Sequence, residues 1–263
     1  MSSVQMTIPS RAKSISTEPP ADWHFREGTH DREIWRCVVE EDEYRLDGRT
    51  FLPLEVVVDV GAHIGTFSWW AWQHGARLIK ACEAWADNFA LCKRNLRSTG
   101  CFVDAKHEAV WGHGYGWRSK AAEWVDVIPS ANPHNTGGGD VFGDIGWKVN
   151  LARPAPLRRQ LPETSIRFLK LDCEGSEFPI LLGNDLSRVV EIAGEYHELG
   201  PGTFHADRRP IPEWAQIPGL PSWTRQVLRD HLRANGFDVE LNHEAENIGK
   251  FFAKNKRFLE AHR

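Results

Sequence analysis

The sequence predicts an α/β chain built on a mostly parallel, doubly wound sheet with helices on its faces. The β-branched run Leu54-Glu55-Val56-Val57-Val58-Asp59-Val60 is followed by Gly61-Ala62-His63-Ile64-Gly65 and then by a helical stretch. A buried strand, a glycine turn and a helix open a βαβ unit. Strand-like and helix-like segments then alternate down the chain, which implies a parallel sheet. The 263 residues are 41% hydrophobic and 26% charged, an ordinary globular balance. A chain of this size buries roughly three quarters of the surface its unfolded state exposes.

Residues 1–22 are polar, contain Pro19-Pro20, and read as a flexible tail. Residues 23–263 read as one domain that opens with an N-terminal extension over 23–54. Within it Ile34–Leu46 is strand-like and Asp47-Gly48 signals a turn. After the glycine turn, Thr66–His74 is helical and stops at Gly75. Arg77–Ala84 is the second strand, Asp87–Ser98 the second helix with Gly100 just past its end, and Cys101–Val110 the third strand. Residues 111–150 are rich in Gly, Asn, Pro and Trp and are too long for a tight connection. Loops of that length are usually functional, so this one is assigned to the substrate side. Ile166–Leu171 is the fourth strand, Ser176–Leu182 a short helix and Val189–Tyr196 the fifth strand. Residues 199–221 form a second long loop on the substrate side, rich in proline and glycine. Ser222 is the expected N-cap of a helix to Asn235, and Phe237–Leu241 and Lys250–Ala253 close the sheet, bringing the count to seven strands.

Lys and Arg number 32 against 36 Asp and Glu, a net charge of −4, which is not the footprint of a protein that grips nucleic acid by its phosphates. No apolar run is long enough to cross a bilayer, and Met1–Pro20 lacks a stretch of signal-peptide length. Cys37, Cys82, Cys92, Cys101 and Cys173 are odd in number and show no Cys-x-x-Cys spacing. Reduced thiols in a cytoplasmic protein are expected, without disulfides or structural zinc. Twelve tryptophans call for a large aromatic core or an aromatic-lined pocket. For Trp111, Trp117, Trp124, Trp147 and Trp214, stacking on a substrate and filling a core are both open.

In an open parallel sheet, ligands bind beyond the carboxyl ends of the strands near the switch point. The residues at those ends are Asp59, Gly61 and Gly65, then Glu83, Glu108, Asp172 with Glu174, and Glu195 with His197. Gly-x-x-x-Gly departs from the Gly-x-Gly-x-x-Gly turn that cradles a pyrophosphate. Glu83 lies about twenty residues past the glycines, where an acid accepts from two ribose hydroxyls and disfavours a 2′-phosphate. These features suit a phosphate-free nucleoside with a cationic tail, of which S-adenosylmethionine is one. The glycines also admit a plain account, close packing of strand on helix. Glu177 reads as an acid at a helix N-terminus, and His63 as a residue with a backbone or solvent role. Trp69, Trp70 and Trp72 read as packing against the sheet or the N-terminal segment.

Val57–Phe67 (VVDVGAHIGTF), the Glu83 strand, Asn135–Gly139 (NTGGG) and Phe168–Leu181 (FLKLDCEGSEFPIL) resemble FkbM-type methyltransferases. These use S-adenosylmethionine, mostly to O-methylate hydroxyls of natural products and glycans. The resemblance runs over roughly 33–254 and is most specific at Lys170–Glu177, where the family reads K-(I/L)-D-x-E-G-x-E. It implies a Rossmann-like class I methyltransferase fold. It implies a donor site of Asp59, Gly61, Ala62, His63, Gly65, Thr66, Glu83, Ala84, Glu108, Ala109 and Asp172, with Asp172 near the methyl group. Asn135, Gly137, Gly138 and Glu174 would face the acceptor, a small molecule or glycan. No nucleic acid or membrane partner is expected, and a homodimer is left open.

An alcohol attacks a methyl sulfonium poorly unless its proton leaves as the bond forms, so a general base is needed. His197 is the first candidate and Asp172 the second, with Glu195 holding the histidine by a hydrogen bond or binding the substrate; a purely structural His197 is equally open. Asp172, Glu195 and His197 are chemically able to hold a divalent metal, but no compact metal spacing is present and none is expected. The alternatives are an NAD-dependent oxidoreductase, weakened by the missing glycine fingerprint, and a non-catalytic cofactor-binding module of the same fold.

Overall fold

In a computed structural model of the chain, residues 15–112, 125–130, 132–142, 151–157, 165–203 and 211–260 are described. The βαβ core forms where the β-branched run predicts it. β1 (Val56–Val60) is buried along its whole length, as a central parallel strand must be. It leads through the glycine turn into α2 (Thr66–Gln73), then β2 (Leu78–Glu83), α3 (Ala86–Ser98) and β3 (Val103–Trp111). After β4 (Val125–Asp126) and β5 (Leu151–Pro156) come β6 (Ile166–Leu171), α4 (Glu177–Leu182) and β7 (Glu191–His197). The chain closes with α5 (Arg225–Ala234), the hairpin β8 (Phe237–Ala245) and β9 (Ile248–Asn255), and α6 (Lys256–Glu260).

The strand order is β4-β5-β3-β2-β1-β6-β7-β9-β8. Pairs among β1, β2, β3, β5, β6 and β7 are parallel, whereas β9 runs antiparallel to β7 and β8, and β4 antiparallel to β5. The sheet is Rossmann-like, mostly parallel, with its order reversing at β1, between β2 and β6. Among the described residues it has nine strands, not the seven expected. The two additions lie on the β3 edge: β4 falls inside the span read as loop, and β5 directly after it.

The expected strand at Ile34–Leu46 is instead helical: α1 (Asp31–Trp35) passes into a single π-helical turn, Arg36–Glu40. Trp35, Val38 and Val39 recur at helical spacing and turn one face inward, and this period outweighs β-branching. The N-cap of α5 is Thr224, whose hydroxyl accepts from Val227 N at 3.4 Å; Ser222 donates its hydroxyl to Pro201 O instead.

Alternation along the strands gives the sheet two apolar faces. One collects Val58, Val60, Leu169, Leu171 and Ile192 with Phe178, Trp223 and Leu228. The other collects Val57, Ile79, Phe168 and Ala193 with Trp69 and Trp70 of α2, and there the N-terminal extension packs. Trp35 lies 5.1 Å from Trp23 and 4.8 Å from Trp69, centroid to centroid. By buried area, each such aromatic is worth at most about 4–6 kcal/mol, so Trp23 and Trp35 anchor the extension to the core. Within 15–22 the chain is coil, yet Thr17 O accepts from Trp35 Nε1 at 3.0 Å and Pro20 O from Trp23 N at 2.8 Å. Met1–Ser14 lie outside the described residues.

Candidate active site

The glycine turn after β1 is built from its own backbone. Gly61 N and Ala62 N both donate to Cys82 O, at 2.9 and 3.0 Å, and Gly65 N donates to Ala62 O at 2.8 Å. His63 N donates to Glu83 Oε2 at 2.8 Å. Gly61 has φ +75°, and a Cβ there would stand 1.7 Å from Asp172 O. Gly65 has φ +94°, and its Cβ would lie 3.1 Å from both Cys92 Sγ and Leu96 Cγ on α3. Both glycines are therefore required by close packing, the plain account. Gly61 also borders the ligand cleft described next.

That cleft encloses about 550 Å³, partly open to solvent, at the carboxyl ends of β1, β2, β3 and β6. Of the expected donor residues, Gly61, His63, Glu83, Ala84, Glu108, Ala109 and Asp172 line it. Asp59 and Ala62 lie buried behind the turn, and Thr66 is buried at the first position of α2. Asp59 accepts from Ser68 Oγ at 2.7 Å and stands 3.4 Å from Lys170 Nζ. Burial raises the Asp59 carboxyl despite Lys170 and Ser68. Lys170, also buried, donates to Gly61 O at 2.6 Å and lies 3.9 Å from Asp172 Oδ2. Burial alone would lower the Lys170 ammonium, but Asp59 and Asp172 outweigh it and leave it raised.

Glu83 closes the far wall. Its two oxygens accept from His63 N and Trp85 N, each at 2.8 Å. Burial nevertheless pushes its carboxyl up to about 7, against those two backbone donors. His63 is not a solvent residue. It is buried, with φ +51°, and its Nε2 lies 2.9 Å from Thr136 Oγ1 and 3.1 Å from Arg26. Burial lowers its imidazole to about 4.

Sequence reasoning missed the polar knot around that histidine. Arg26 donates to both oxygens of the fully buried Asp31, at 2.9 and 3.0 Å, and to Asn88 and Thr136 at 2.8 and 3.0 Å. Asn88 in turn donates to Thr136 O at 2.9 Å. The knot ties the N-terminal extension, α3 and the Asn135–Gly139 loop to the cleft rim. Its members are far apart in sequence and form no motif.

Of the four expected acceptor residues, Gly137 lines the cleft and Gly138 does not. Asn135 is spent on its own turn, accepting from Gly137 N and Gly138 N at 3.2 and 3.1 Å. Glu174 belongs to a second cluster, on β7. There His197 is only 3% exposed, with Nε2 at 3.4 Å from Glu195 and 3.7 Å from Glu174, and Nδ1 at 3.4 Å from Glu177. Burial alone would lower the imidazole, but Glu174, Glu177 and Glu195 hold it well above its usual value. That environment favours the protonated imidazole and so the structural reading of His197, which the sequence leaves equally open with the role of base. Glu177 accepts from Cys173 N and Gly175 N at 2.6 and 2.8 Å, the helix-terminus role expected of it.

Asp172 faces both places. Its side chain is 34% exposed, lines the cleft and accepts from Tyr44 Oη at 3.1 Å. Near it, burial and the Asp172 charge push Glu43 up to about 7, although Lys250 Nζ sits 3.0 Å away. Trp111 is buried and packs on Phe142 and Trp214 at 5.8 and 5.6 Å, so Trp111 and Trp214 fill core. Trp69 likewise packs on the N-terminal segment as expected, whereas Trp117, Trp124 and Trp147 lie outside the described residues. All five cysteines are free, and among the described residues no helix is long and apolar enough to cross a membrane.

No protein-family model matches the chain. It is 25% identical over 246 residues to AMB antimetabolite synthetase AmbE of Pseudomonas aeruginosa PAO1. That match takes in 81% of this chain but 11% of the synthetase, so the chain spans about a tenth of that relative's length. Among solved structures, methyltransferase FkbM from Methylobacillus flagellatus KT is similar over 80% of this chain and 46% of its own, with TM-score 0.47 and 14% identity. A putative RNA methyltransferase, PH1948 from Pyrococcus horikoshii, is similar over 91% and 92%, with TM-score 0.42 and 10% identity.

Proposed function

We propose that the chain is an S-adenosylmethionine-dependent methyltransferase that O-methylates a hydroxyl of a small molecule, natural product or glycan. One observation carries the donor class: the backbone N–H groups of Gly61, Ala62, His63 and Gly65 are all spent on protein acceptors. A pyrophosphate at this turn would not find these four N–H groups free to receive it. Glu83, Glu108 and Asp172 instead give the cleft a carboxylate lining, which repels phosphate and favours a cation. This weighs against the dinucleotide alternative. The KLDCEGSE segment supports the FkbM-type reading, and the match to part of an antimetabolite synthetase favours a small-molecule acceptor.

The residues present fit this donor. Glu83 retains lone pairs beyond the two backbone bonds and would accept from ribose hydroxyls. Gly61, Ala84 and Ala109 leave room beside it. When bound, S-adenosylmethionine supplies a methyl group already activated by its sulfonium. The chain must then orient the acceptor oxygen in line, exclude water and take its proton. We assign the proton to Asp172, the second candidate of the sequence reading, because it is partly exposed, lines the cleft and is oriented by Tyr44. His197 acts at one remove: its ion pair with Glu177 braces the segment Cys173–Gly175 that follows Asp172. Five unpaired thiols suit the reducing cytoplasm.

Isothermal titration of the full chain with S-adenosylmethionine and, separately, with NAD tests the reading. Saturable heat with the first and none with the second is expected. Binding of NAD without S-adenosylmethionine would overturn it.

A further inference from the structure

We propose that Asp172, Glu177 and His197 form a site for one divalent transition-metal ion at the edge of the cleft, sharing Asp172 with its lining. Each offers a ligand atom, and these atoms lie within 4.8 Å of one another. Glu195 and Glu174 stand at 3.4 and 3.7 Å from His197 Nε2 and complete the surround. Asp172, Glu174, Glu177 and Glu195 thus bring four carboxyl groups to His197 and its surround, a concentration of acidic oxygens that a dication offsets.

A second observation points to a ligand. His197 is 3% exposed, and its Nδ1 has no hydrogen-bond partner; the 3.4 Å approach of Glu177 Oε1 is an ion-pair contact only. Buried polar atoms of this kind are rare, and an ion is one of the standard reasons for them. One imidazole nitrogen with two carboxylate oxygens suits Mn²⁺ or Zn²⁺ better than Mg²⁺, which prefers an all-oxygen shell. The metal would replace the imidazole proton, so proton and metal are alternative occupants of one place. Because Asp172 also lines the cleft, the ion would stand at its edge, where a dication lowers the pKa of a hydroxyl bound to it.

The test uses the full chain, stripped with a chelator and titrated with MnCl₂, with free Mn²⁺ followed by electron paramagnetic resonance. One Mn²⁺ per chain is expected, with a nitrogen hyperfine coupling from imidazole in pulsed spectra. His197→Gln should abolish that coupling, and both His197→Gln and Asp172→Asn should weaken binding by about tenfold or more. Should His197→Gln fail to fold, Asp172→Asn and the wild-type coupling decide the matter, since Asp172 is partly exposed. No saturable binding up to about 1 mM Mn²⁺ would overturn the proposal, as would an imidazole-free spectrum or unchanged affinity in Asp172→Asn. S-adenosylmethionine titration run in parallel separates this result from the methyltransferase reading. A chain that binds the donor but not Mn²⁺ loses only the metal site, and the reverse loses only the donor.

Discussion

Glu83→Gln tests the wall of the donor site through a charge that the fold keeps out of water. Burial lifts the Glu83 carboxyl from 4.5 to about 7. The folded value exceeds the unfolded one, so the native chain holds the additional proton between those pH values. The associated stability is complete below pH 4.5 and is lost as pH rises through 7. The displacement from 4.5 to about 7 converts to about 3 kcal/mol. Glutamine carries no such proton. Its carbonyl can still serve His63 N or Trp85 N, but its amide then faces the other donor at the 2.8 Å now spanned by a hydrogen bond. An unsatisfied buried pair of that kind costs about 1–3 kcal/mol. The variant should therefore be less stable than the native chain by that amount at pH 5, with the gap closing or reversing by pH 8. Groups such as His63 titrate in both proteins and cancel in the difference. Urea denaturation at intervals from pH 5 to 8 reads the gap directly. A gap that stays constant over the range would refute the claim that Glu83 is a buried carboxyl titrating near neutrality. In the same variant, S-adenosylmethionine affinity should fall about tenfold or more, the worth of a hydrogen bond to a charged acceptor. An unchanged affinity would remove Glu83 from the donor site.

Three further outcomes follow from the geometry. Asp172→Asn should lower turnover by about 10²–10⁴ while donor affinity, measured by titration, changes by only a few fold; retained turnover would exclude Asp172 as the proton acceptor. Arg26→Met removes the partner of the fully buried Asp31 and should cost about 3–5 kcal/mol in urea denaturation, so a loss under about 1 kcal/mol would mean the knot does not hold the extension. Gly61→Ala should yield little folded protein, because its Cβ would collide with backbone at 1.7 Å, whereas Gly137→Ala meets nothing nearer than 3.5 Å and should fold normally by circular dichroism.

The central sheet was legible because its signals are local. β1 declares itself by four valines in a row of five, and β6 spans the expected residues, since both are buried strands whose charged residues, Asp59 and Lys170, pair with each other. In Ile34–Leu46 composition and spacing point opposite ways: β-branched and aromatic residues suggest a strand, but Trp35, Val38 and Val39 lie on one helical face, and the spacing decides. β4 has only two residues, Val125 and Asp126, and no periodicity can be read from so short a segment. The α5 cap was placed two residues early because Ser222 and Thr224 are equally good capping types; which one serves depends on whether its hydroxyl has a nearer acceptor, and Ser222 has Pro201 O.

The site was legible in position more than in protonation. Strand-end logic brought Glu83, Glu108 and Asp172 to one cleft, because the carboxyl ends of parallel strands converge whatever the side chains are. His197 is a candidate base by its strand-end position and by the resemblance at Glu195–His197, and neither says what surrounds the imidazole. What shifts it is the company of Glu174, on the turn after β6, and Glu177, at the start of α4, twenty or more residues upstream, and of Glu195 two residues before it. Three carboxylates around one buried imidazole favour its protonated form, the reverse of what a general base needs. Catalytic proton transfer and cation binding therefore converge on Asp172, the acid that both borders the cleft and touches the cluster, and substitutions there should disturb both measurements while those at Glu83 disturb only the donor.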